Sequence, residues 1–308
     1  MQERYGFANA TCRLLKTGIN DSYLIARGDD KYVFRVYSLN WRTANEINEE
    51  IRLLTLLKEK NIPVSYPLAN AEGAYIQQLN APEGIRFGVL FTFAKGEKLL
   101  NFALELHYKA GEIMARMHQV TIGLKLDRVS YTPEVVLAGP FEQIKNFLPS
   151  GNPEMDFMAS AQQFLLNGFK NFNAAEIRQG TVHLDIWFDN MAIYNGAEIT
   201  LFDFDFCGNG MLCYDIAYYI LQLNSTEKDE IDCELKTGAF LRGYESITRI
   251  SDEEKRIIPM LGVSLYFFYL GIQCQRFDNW SNTFLNEAYL KRFINLLVKK
   301  YYDKNGLG

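Results

Sequence analysis

The chain has 308 residues, of which 48% are hydrophobic and 22% are charged, and its formal net charge at pH 7 is -5. This length is long for one compact core and sufficient for two, and the composition is ordinary for a soluble protein. This net charge gives no electrostatic reason to expect a nucleic-acid partner, which usually needs a basic face.

The numbers of cysteines and histidines indicate the redox compartment of the protein and the kind of metal that it could bind. The five cysteines are scattered and odd in number, which argues against a disulfide framework and favours a cytoplasmic protein. With only three histidines, any metal is expected to take carboxylate ligands, which means a hard cation such as magnesium. The N-terminus lacks the apolar core of a signal peptide, and the apolar run 261–272 is shorter than a membrane span of about 20 residues. We therefore expect no membrane partner.

The first third of the chain is predicted to be rich in strands. Apolar runs on either side of Gly18–Asp21 predict a hairpin, and residues 31–37 alternate as a further strand. Two more strand-like runs follow at 74–79 and 86–93. Together these segments indicate a small sheet.

One helix interrupts these strands, over residues 43–60. Four apolar residues recur there at helical spacing and are predicted to form its buried stripe: Ile47, Ile51, Leu54 and Leu57.

The character of the sequence changes after Lys95–Gly96. Residues 103–120 are strongly helical, and the remainder is mostly helix apart from one hairpin near residue 190. This order predicts an α+β fold with two domains, an N-terminal lobe over 1–94 and a C-terminal lobe over 95–308.

The hairpin near residue 190 brings together polar side chains. Asn195–Gly196 lies between MAIY and EITLF and predicts a two-residue hairpin turn. An antiparallel register then places residue 190 opposite the region of 201, so Asn190 and Asp203 lie at the same end. Asp185 lies on the loop that leads into the hairpin.

This set of oxygen atoms is what phosphoryl transfer requires, because catalysis of that reaction depends on positioning and on metal neutralisation of charge. Asp203 can bind magnesium, Asn190 can complete the coordination, and Asp185 can face the acceptor hydroxyl and take its proton. A surface hairpin with incidental acidic residues is the alternative, but the joint pattern H-x-D-x4-N, hairpin, D-F-D is much more specific.

These motifs resemble those of the aminoglycoside phosphotransferase and choline kinase superfamily, distant relatives of the protein kinases. The matching segments are His183-Leu184-Asp185 with Asn190, LFDFD at 201–205 and YDIA at 214–217. The resemblance implies a two-lobed protein-kinase-like fold with a small antiparallel-sheet N-lobe and a mostly helical C-lobe. It also implies ATP and Mg²⁺ as cofactors and a small-molecule alcohol as acceptor, such as an aminoglycoside, choline or a homoserine-like alcohol.

The loop departs from the family pattern. Leu184 replaces the usual glycine, and residues 187–189 replace the usual His-Pro-Gly, which puts the identity of the acceptor in doubt. The resemblance assigns Asp215 a bracing role and makes His183 a brace of the loop rather than the base. Asp205 stays open between a second metal contact and a solvated neighbour.

The resemblance also implies a nucleotide site in the N-lobe. Residues 18–22 would form the turn that covers the phosphates, with Ser22 in contact with phosphate oxygens. The linker at 91–94, which includes Phe93 and Ala94, would offer backbone groups to adenine.

A kinase fold expects a lysine on the third strand, and Arg35 takes that position here. Its guanidinium is expected to pair with a carboxylate of the 43–60 helix and with phosphate oxygens. Glu50 matches best by spacing, with Glu46 and Glu49 as close rivals.

The acceptor side is less defined. A helical face with five aromatic and polar residues is a candidate wall, although such a stripe is more often core: Tyr266, Tyr269, Gln273, Arg276 and Trp280. A protein serine/threonine kinase of the same superfamily and a nucleotide-binding pseudokinase are the alternative functions. The short segment between Asp203 and Asp215 argues against the first, and retention of the three catalytic-type residues argues against the second. The oligomeric state stays open.

Overall fold

A computed structural model describes residues 1–278 and 284–308 and divides the chain into two compact units. Unit 1 comprises Met1–Leu99, Leu126–Arg128 and Phe188–Asp205. Unit 2 comprises Leu100–Lys125, Val129–Trp187 and Phe206–Gly308. The predicted boundary after residue 94 thus lies near the end of the first segment of unit 1, and two later segments join that unit.

The strands, in chain order, are β1 (Thr11–Lys16), β2 (Asn20–Arg27), β3 (Asp30–Tyr37), β4 (Pro67–Leu68), β5 (Ile76–Ala81), β6 (Gly84–Thr92), β7 (Gln179–Val182), β8 (Met191–Tyr194), β9 (Glu198–Leu201) and β10 (Gly208–Met211).

The α-helices are α1 (Gln2–Tyr5), α2 (Ala44–Glu59), α3 (Leu104–Thr121), α4 (Gly139–Lys145), α5 (Pro153–Lys170), α6 (Cys213–Thr226), α7 (Glu230–Glu245), α8 (Asp252–Gln275), α9 (Glu287–Phe293) and α10 (Lys300–Lys304). Short 3₁₀ turns cover Ala174–Glu176, Phe188–Asn190 and Phe204–Phe206, and π-helical stretches cover Glu134–Ala138 and Ile294–Lys299.

Unit 1 is built on an antiparallel sheet with the strand order β1-β2-β3-β6-β4, in which β5 also pairs with β6. The predicted strands are present, but the predicted turn at Gly18–Asp21 is wrong in its bounds. β2 already begins at Asn20, because Asn20 and Asp21 pair with Tyr37 and Val36 of β3. Pairing with β3 therefore extends β2 through Asn20 and Asp21, two residues that favour turns.

The helix α2 packs against β4 and β5 and confirms the predicted stripe. Thr43 and Glu46 form a capping box that fixes where the helix begins. The buried residues of α2 are Ile47, Glu50, Ile51, Leu53, Leu54 and Leu57, which adds one carboxylate to the apolar side of the helix.

The β8–β9 hairpin belongs to unit 1 and turns where the sequence predicts. The Ala197 N–H donates to the Tyr194 oxygen at 3.1 Å across Asn195 and Gly196, which both have positive φ. The predicted two-residue loop is wrong, because the register pairs Tyr194 with Glu198 and leaves Ala197 as an extra residue.

Unit 2 is mostly helical. α3 packs along α7, and α4 and α6 pack against α8, while β7 and β10 form a short antiparallel pair. A Cβ atom on Gly111 would overlap the carbonyl oxygen of Phe240, so only glycine allows α3 and α7 to approach this closely. The helix α8 is longer than the apolar run in its sequence and is long and apolar enough to cross a membrane, but 78% of that window is buried inside the protein, as in a core helix.

Candidate active site

The residues predicted to hold a nucleotide line one cavity of unit 1, which has a volume of about 440 Å³. The sheet, helix α2, the linker after β6 and the β8–β9 hairpin all contribute to it. The predicted site residues in this lining are Ser22, Arg35, Glu50, Phe93, Ala94, Asn190 and Asp203. Asp185 belongs to unit 2 and is described below by itself.

Arg35 is the central cation of the cavity and is only 8% exposed. Its Nη1 donates to Glu50 Oε1 at 2.8 Å, and its Nη2 lies 3.0 Å from Asp203 Oδ1. Although burial by itself would lower it, Asp203 and Glu50 raise the pKa of the guanidinium well above its ordinary value. The guanidinium carbon also lies 4.9 Å from the centre of the Phe91 ring, within the range of a cation–π contact. Arg35 therefore stays charged and is held on two sides.

Of the three candidate glutamates, Glu50 is the one that contacts Arg35. It is fully buried, and its second oxygen accepts from the Tyr37 hydroxyl at 2.9 Å. Glu46 instead serves the capping box of α2, and Glu49 pairs with Arg52 at 2.7 Å. Tyr37 was not predicted as part of the site, yet a residue two positions after Arg35 on a strand shares its face.

Asn190 and Asp203 lie at the open end of the β8–β9 hairpin. The Phe202 N–H donates to the Asn190 carbonyl oxygen at 3.1 Å, which extends the pairing beyond Met191 and Leu201. Asp203 has a φ of 67°, in the left-handed region, and 43% of its side chain is exposed. The backbone turn thus directs a carboxylate into the cavity that Asn190 also lines.

The chemistry of this pair fits a hard divalent cation. A carboxylate and an amide oxygen are ligands that magnesium accepts, and magnesium usually keeps several waters and takes further oxygens from substrate phosphates. Among the described residues no cluster of three or more His, Cys, Asp or Glu side chains could hold a metal. Asp203 and Asn190 by themselves would leave the other coordination positions of a cation to water and phosphate oxygens.

Asp205, which the sequence left open between two roles, is a buried structural anchor. Trp41 Nε1 donates to its Oδ2 at 2.6 Å, and Arg42 Nε donates to its Oδ1 at 3.1 Å. Burial by itself would raise the pKa of this carboxyl, but Arg42 and Arg35 hold it below the usual range. Both carboxylate oxygens are engaged by the segment that precedes α2, so a solvated position is excluded.

Ser22 and the linker are the remaining predicted contacts. Ser22 lies within β2, opposite both Lys16 of β1 and Arg35 of β3, rather than on a turn. Phe93 and Ala94 follow Thr92, the last residue of the β3–β6 ladder. These two residues thus come directly after the sheet and line the cavity.

In unit 2, Asp185 is half-buried and is oriented by a tyrosine. The Tyr218 hydroxyl donates to Asp185 Oδ1 at 2.5 Å. Burial and the negative charge of Asp185 raise the pKa of Tyr218 well above its ordinary value. The tyrosine therefore keeps its proton and acts as a hydrogen-bond donor to the carboxylate.

The loop around Asp185 is held through its backbone. Asp215 accepts from the N–H groups of His183 and Leu184 at 3.0 and 2.6 Å, and it also contacts His118 Nε2 at 3.0 Å. The Asp185 N–H donates to His183 Nδ1 at 3.2 Å. Leu184 has a φ of 67°, a conformation that favours the glycine usual at this position. Through these contacts Asp215 and His183 hold the backbone of the loop at residues 183–185.

The helical face predicted as an acceptor wall divides into two parts. Tyr266 is buried among Phe293 and Tyr301 and belongs to the core. The Tyr269 hydroxyl instead donates to the Leu184 carbonyl oxygen at 2.5 Å and so contacts the Asp185 loop. Trp280 lies outside the described residues.

Sequence reasoning missed an ion-pair cluster at the rim of the cavity. Lys16 and Lys98 both contact Asp189, and both lysines line the cavity. Isolated lysines carry no periodic pattern, and their shared partner is distant in sequence. Only the departure from the usual family residues at 187–189 marked this position.

The sequence as a whole matches a family of known proteins. The family model described as APH, phosphotransferase enzyme family, matches residues 11–248. A homoserine kinase of Methylobacillus glycogenes is 25% identical over 255 residues, which represents 82% of this chain and 76% of that protein.

Solved structures show the same fold. A microcompartment-associated aminopropanol kinase aligns with a TM-score of 0.80 at 20% identity, covering 99% of this chain and 96% of that one. The amicoumacin kinase hAmiN, in complex with AMP-PNP, Ca²⁺ and Ami, aligns with a TM-score of 0.79 at 20% identity, covering 98% of this chain and 91% of that one. At this identity the likeness shows a common fold.

Proposed function

This chain belongs to the APH phosphotransferase enzyme family, and from that membership we propose that it transfers the terminal phosphoryl group of ATP, with Mg²⁺, to the hydroxyl of a small amino alcohol. Its fold is the α+β, two-lobed protein-kinase-like fold, with a small antiparallel-sheet unit and a mostly helical unit. It is a kinase that acts on a small-molecule alcohol. The nucleotide, the metal and the acceptor are the parts that we propose.

One observation carries the nucleotide proposal: Arg35 lies in the cavity between Glu50 and Asp203, with Asn190 in the same lining. Glu50 fixes the direction of the guanidinium, and a buried arginine held in this way supplies donors for phosphate oxygens. Phe93 and Ala94 are the residues that we propose for adenine, and Ser22 is the one for a phosphate oxygen.

Asp203 and Asn190 are the residues that would hold magnesium. When bound there, the cation would neutralise charge on the phosphates and so supply the electrostatic part of catalysis. Asp203 would then contact both the cation and Arg35, because the same carboxylate forms an ion pair with the guanidinium.

Asp185 is the residue that we propose to orient the acceptor. Its carboxylate would accept the proton of the attacking hydroxyl, and Tyr218 would fix the rotamer of that carboxylate through its 2.5 Å hydrogen bond. The loop braces at Asp215 and His183 serve the same end, because they fix the backbone on both sides of Leu184.

The names of two similar proteins support the class of acceptor that we propose. Homoserine and aminopropanol, which their names give as substrates, are both small molecules that carry a primary amine and a hydroxyl group, and in this sense both are small amino alcohols. We propose this class for the present enzyme, ahead of aminoglycosides, choline or a protein side chain. From the net charge of -5 we expect no nucleic-acid partner, and we expect the enzyme in the cytoplasm without a membrane partner.

The proposal is tested by an ATP-turnover assay with and without Mg²⁺, run on a panel of acceptors. We expect Mg²⁺-dependent phosphorylation of at least one small amino alcohol, with homoserine and aminopropanol compared against choline, an aminoglycoside and a protein substrate. Phosphorylation of the protein alone would contradict the acceptor class. A wild-type enzyme that binds ATP without turnover would contradict the catalytic assignment.

The metal assignment is tested by Asp203→Asn. We expect turnover to fall by about two orders of magnitude or more, because the substitution removes both a metal ligand and the charge opposite Arg35. Asp30→Asn, on the exposed start of β3, is the matched control and should keep wild-type activity. Thermal unfolding of both variants checks the fold, and full activity of Asp203→Asn would remove it from the metal site.

A further inference from the structure

The cluster at the rim of the cavity joins three elements of unit 1 through one carboxylate. Lys16 Nζ of β1 lies 2.9 Å from Asp189 Oδ2, and Lys98 Nζ, after the linker, lies 3.0 Å from Asp189 Oδ1. Asp189 itself lies on the 3₁₀ turn Phe188–Asn190, directly before the proposed metal ligand. Each oxygen of the carboxylate therefore receives one ammonium group.

The backbone explains why Lys98 reaches this point. Gly96 has a φ of 108°, and a Cβ atom there would overlap the Ile193 carbonyl oxygen. The close approach lets Glu97 and Ile193 exchange backbone hydrogen bonds of 3.0 and 2.9 Å. This bridge pins the chain after the linker onto β8 and directs the Lys98 side chain toward Asp189.

The cluster is not a buried structural ion pair. The side chains of Lys16, Lys98 and Asp189 are 63%, 43% and 27% exposed. Ion pairs of this exposure contribute little to stability, so an ammonium group can leave the carboxylate at little cost. Lys98 Nζ also lies 5.2 Å from the centre of the Phe202 ring, which offers it a second contact on the cavity side.

The charge of the cavity shows what these lysines could serve. The cationic side chains in the described lining are Arg35, Lys16 and Lys98. Arg35 is already held by Glu50 and Asp203, so its charge is largely compensated within the protein. The turn between β1 and β2 carries a single glycine, Gly18, and thus lacks the repeated glycines that let a loop wrap around phosphates. In addition to the magnesium proposed above, a polyphosphate in this cavity would therefore gain positive charge from Lys16 and Lys98.

We propose that Lys16 and Lys98 form a phosphate-binding pair that Asp189 holds at the cavity, and that both ammonium groups exchange this carboxylate for phosphate oxygens when a nucleotide binds. The ligand class is a nucleoside di- or triphosphate. Lysine suits this exchange because its compact ammonium and flexible stem tolerate several geometries. The inference rests on the proposed function, since it assumes that the cavity takes a nucleotide.

The test measures nucleotide binding rather than turnover. Lys16→Met, Lys98→Met and the double variant are titrated by calorimetry with AMP-PNP and with adenosine, which shares the base but has no phosphate. Each single variant should bind AMP-PNP about tenfold more weakly, because a charge-assisted hydrogen bond contributes about one order of magnitude in affinity. Adenosine affinity should stay within about twofold, since lysine heads do not contact the base.

Lys95→Met is the matched control, because Lys95 is an exposed lysine near the same linker and outside the cavity lining. Its affinities should equal those of the wild type. Thermal unfolding of each variant confirms the fold. Wild-type AMP-PNP affinity in the double variant, or an equal loss for AMP-PNP and adenosine, would overturn the proposal.

Asp189→Asn tests the exchange itself. Removing the competing carboxylate should tighten AMP-PNP binding by a few fold, about two- to fivefold, because the ammonium groups no longer leave a charged partner. Weaker AMP-PNP binding in this variant would show that Asp189 acts mainly by positioning the lysines and does not compete with phosphate, which would contradict the proposed exchange. If the wild type binds neither AMP-PNP nor adenosine, the proposed function fails; if it binds both and the lysines have no effect, only this inference fails.

Discussion

Single residues set the chemistry of the proposed base. Tyr218 and Tyr214 lie on the same helix, α6, and both are buried, but their hydroxyl groups differ. The Tyr218 hydroxyl donates to Asp185, whereas the buried Tyr214 hydroxyl has no hydrogen-bond partner among the described residues. Tyr214 can therefore serve as the matched control for a substitution of Tyr218.

We predict that Tyr218→Phe lowers kcat by about ten- to a hundredfold, because Asp185 loses the donor that fixes its orientation. The KM for ATP should change little, since the nucleotide cavity of unit 1 is lined by other residues. Steady-state kinetics with ATP and the acceptor measure both constants. Tyr214→Phe should keep wild-type kinetics, and an equal loss of kcat in both variants would mean that the effect is one of packing.

A second residue, His107, makes the stability of unit 2 depend on pH. It stacks on Phe102 with ring centres 4.1 Å apart, and its Nδ1 lies 2.8 Å from the Tyr219 hydroxyl. Burial, with a smaller contribution from Lys236, lowers the pKa of this imidazole to about 4. The folded state therefore favours the neutral form of the His107 imidazole.

The sign of the effect follows from proton binding. Between pH 6.5 and 4 the unfolded state binds more protons than the folded state, so His107 stabilises the fold above pH 6.5, and this stability is lost as the pH falls toward 4. The loss should reach about 3 kcal/mol. Urea unfolding at pH 7.0, 5.5 and 4.5 measures it. His107→Gln should show a smaller pH dependence over this range, and an unchanged slope would contradict the assignment to His107.

At the scale of elements, helix α2 is tied to the sheet through one glutamate. Glu50 accepts from both Arg35 and Tyr37 of β3, while Glu59 at the end of the same helix is exposed. Removing one partner of a buried ion pair leaves a buried charge without compensation. The position of α2 on the sheet should therefore depend on Glu50.

We predict that Glu50→Gln lowers the free energy of unfolding by about 3 kcal/mol and also weakens AMP-PNP binding, because Arg35 loses its fixed direction. Glu59→Gln should change stability by less than about 0.5 kcal/mol. Denaturant unfolding and calorimetry give both quantities. Wild-type stability of Glu50→Gln would mean that Asp203 alone compensates Arg35.

The same helix shows how much of the structure could be predicted from the sequence. The stripe of Ile47, Ile51, Leu54 and Leu57 follows from periodicity alone, and all four are buried. Glu50 lies three residues after Ile47 and four before Leu54, so helical spacing already favours it over its neighbours as the buried carboxylate.

Other features depend on partners that are remote in the chain. Asp205 is anchored by Trp41 and Arg42, and Asp189 collects two lysines from other elements, which no local pattern encodes. The predicted extent of the turn after β1 is wrong for the same reason, because pairing with β3 overrides the turn preference of Asn20. The motif that we propose as catalytic could be recognised in the sequence because its residues lie on one hairpin and the loop before it.

At the scale of the whole chain, unit 1 is assembled from three separate segments. The Leu201 N–H donates to the Pro63 oxygen and the Ser65 N–H donates to the Leu201 oxygen, both at 2.8 Å. Glu97 and Ile193 exchange a second pair of backbone bonds. The β8–β9 hairpin therefore completes the hydrogen bonding of the first segment.

We predict that a fragment of residues 1–99 does not fold by itself, because it lacks the hairpin that satisfies these backbone groups and lines the cavity. Circular dichroism and amide proton dispersion in NMR spectra measure its order, with the full chain as reference. A cooperative unfolding transition of the isolated fragment would show that the first segment is an independent domain.

The divided unit also affects how the protein is made. Translation proceeds from the N-terminus, so the ribosome releases the first sheet long before the hairpin at Phe188–Asp205. At about 5–20 residues per second, the synthesis from Leu99 to Asp205 takes roughly 5–20 s. During this interval the nascent sheet lacks the backbone partners of Pro63, Ser65 and Glu97, together with Asn190 and Asp203. The nucleotide that we propose for this cavity could therefore bind and stabilise unit 1 only after Asp205 has been synthesised.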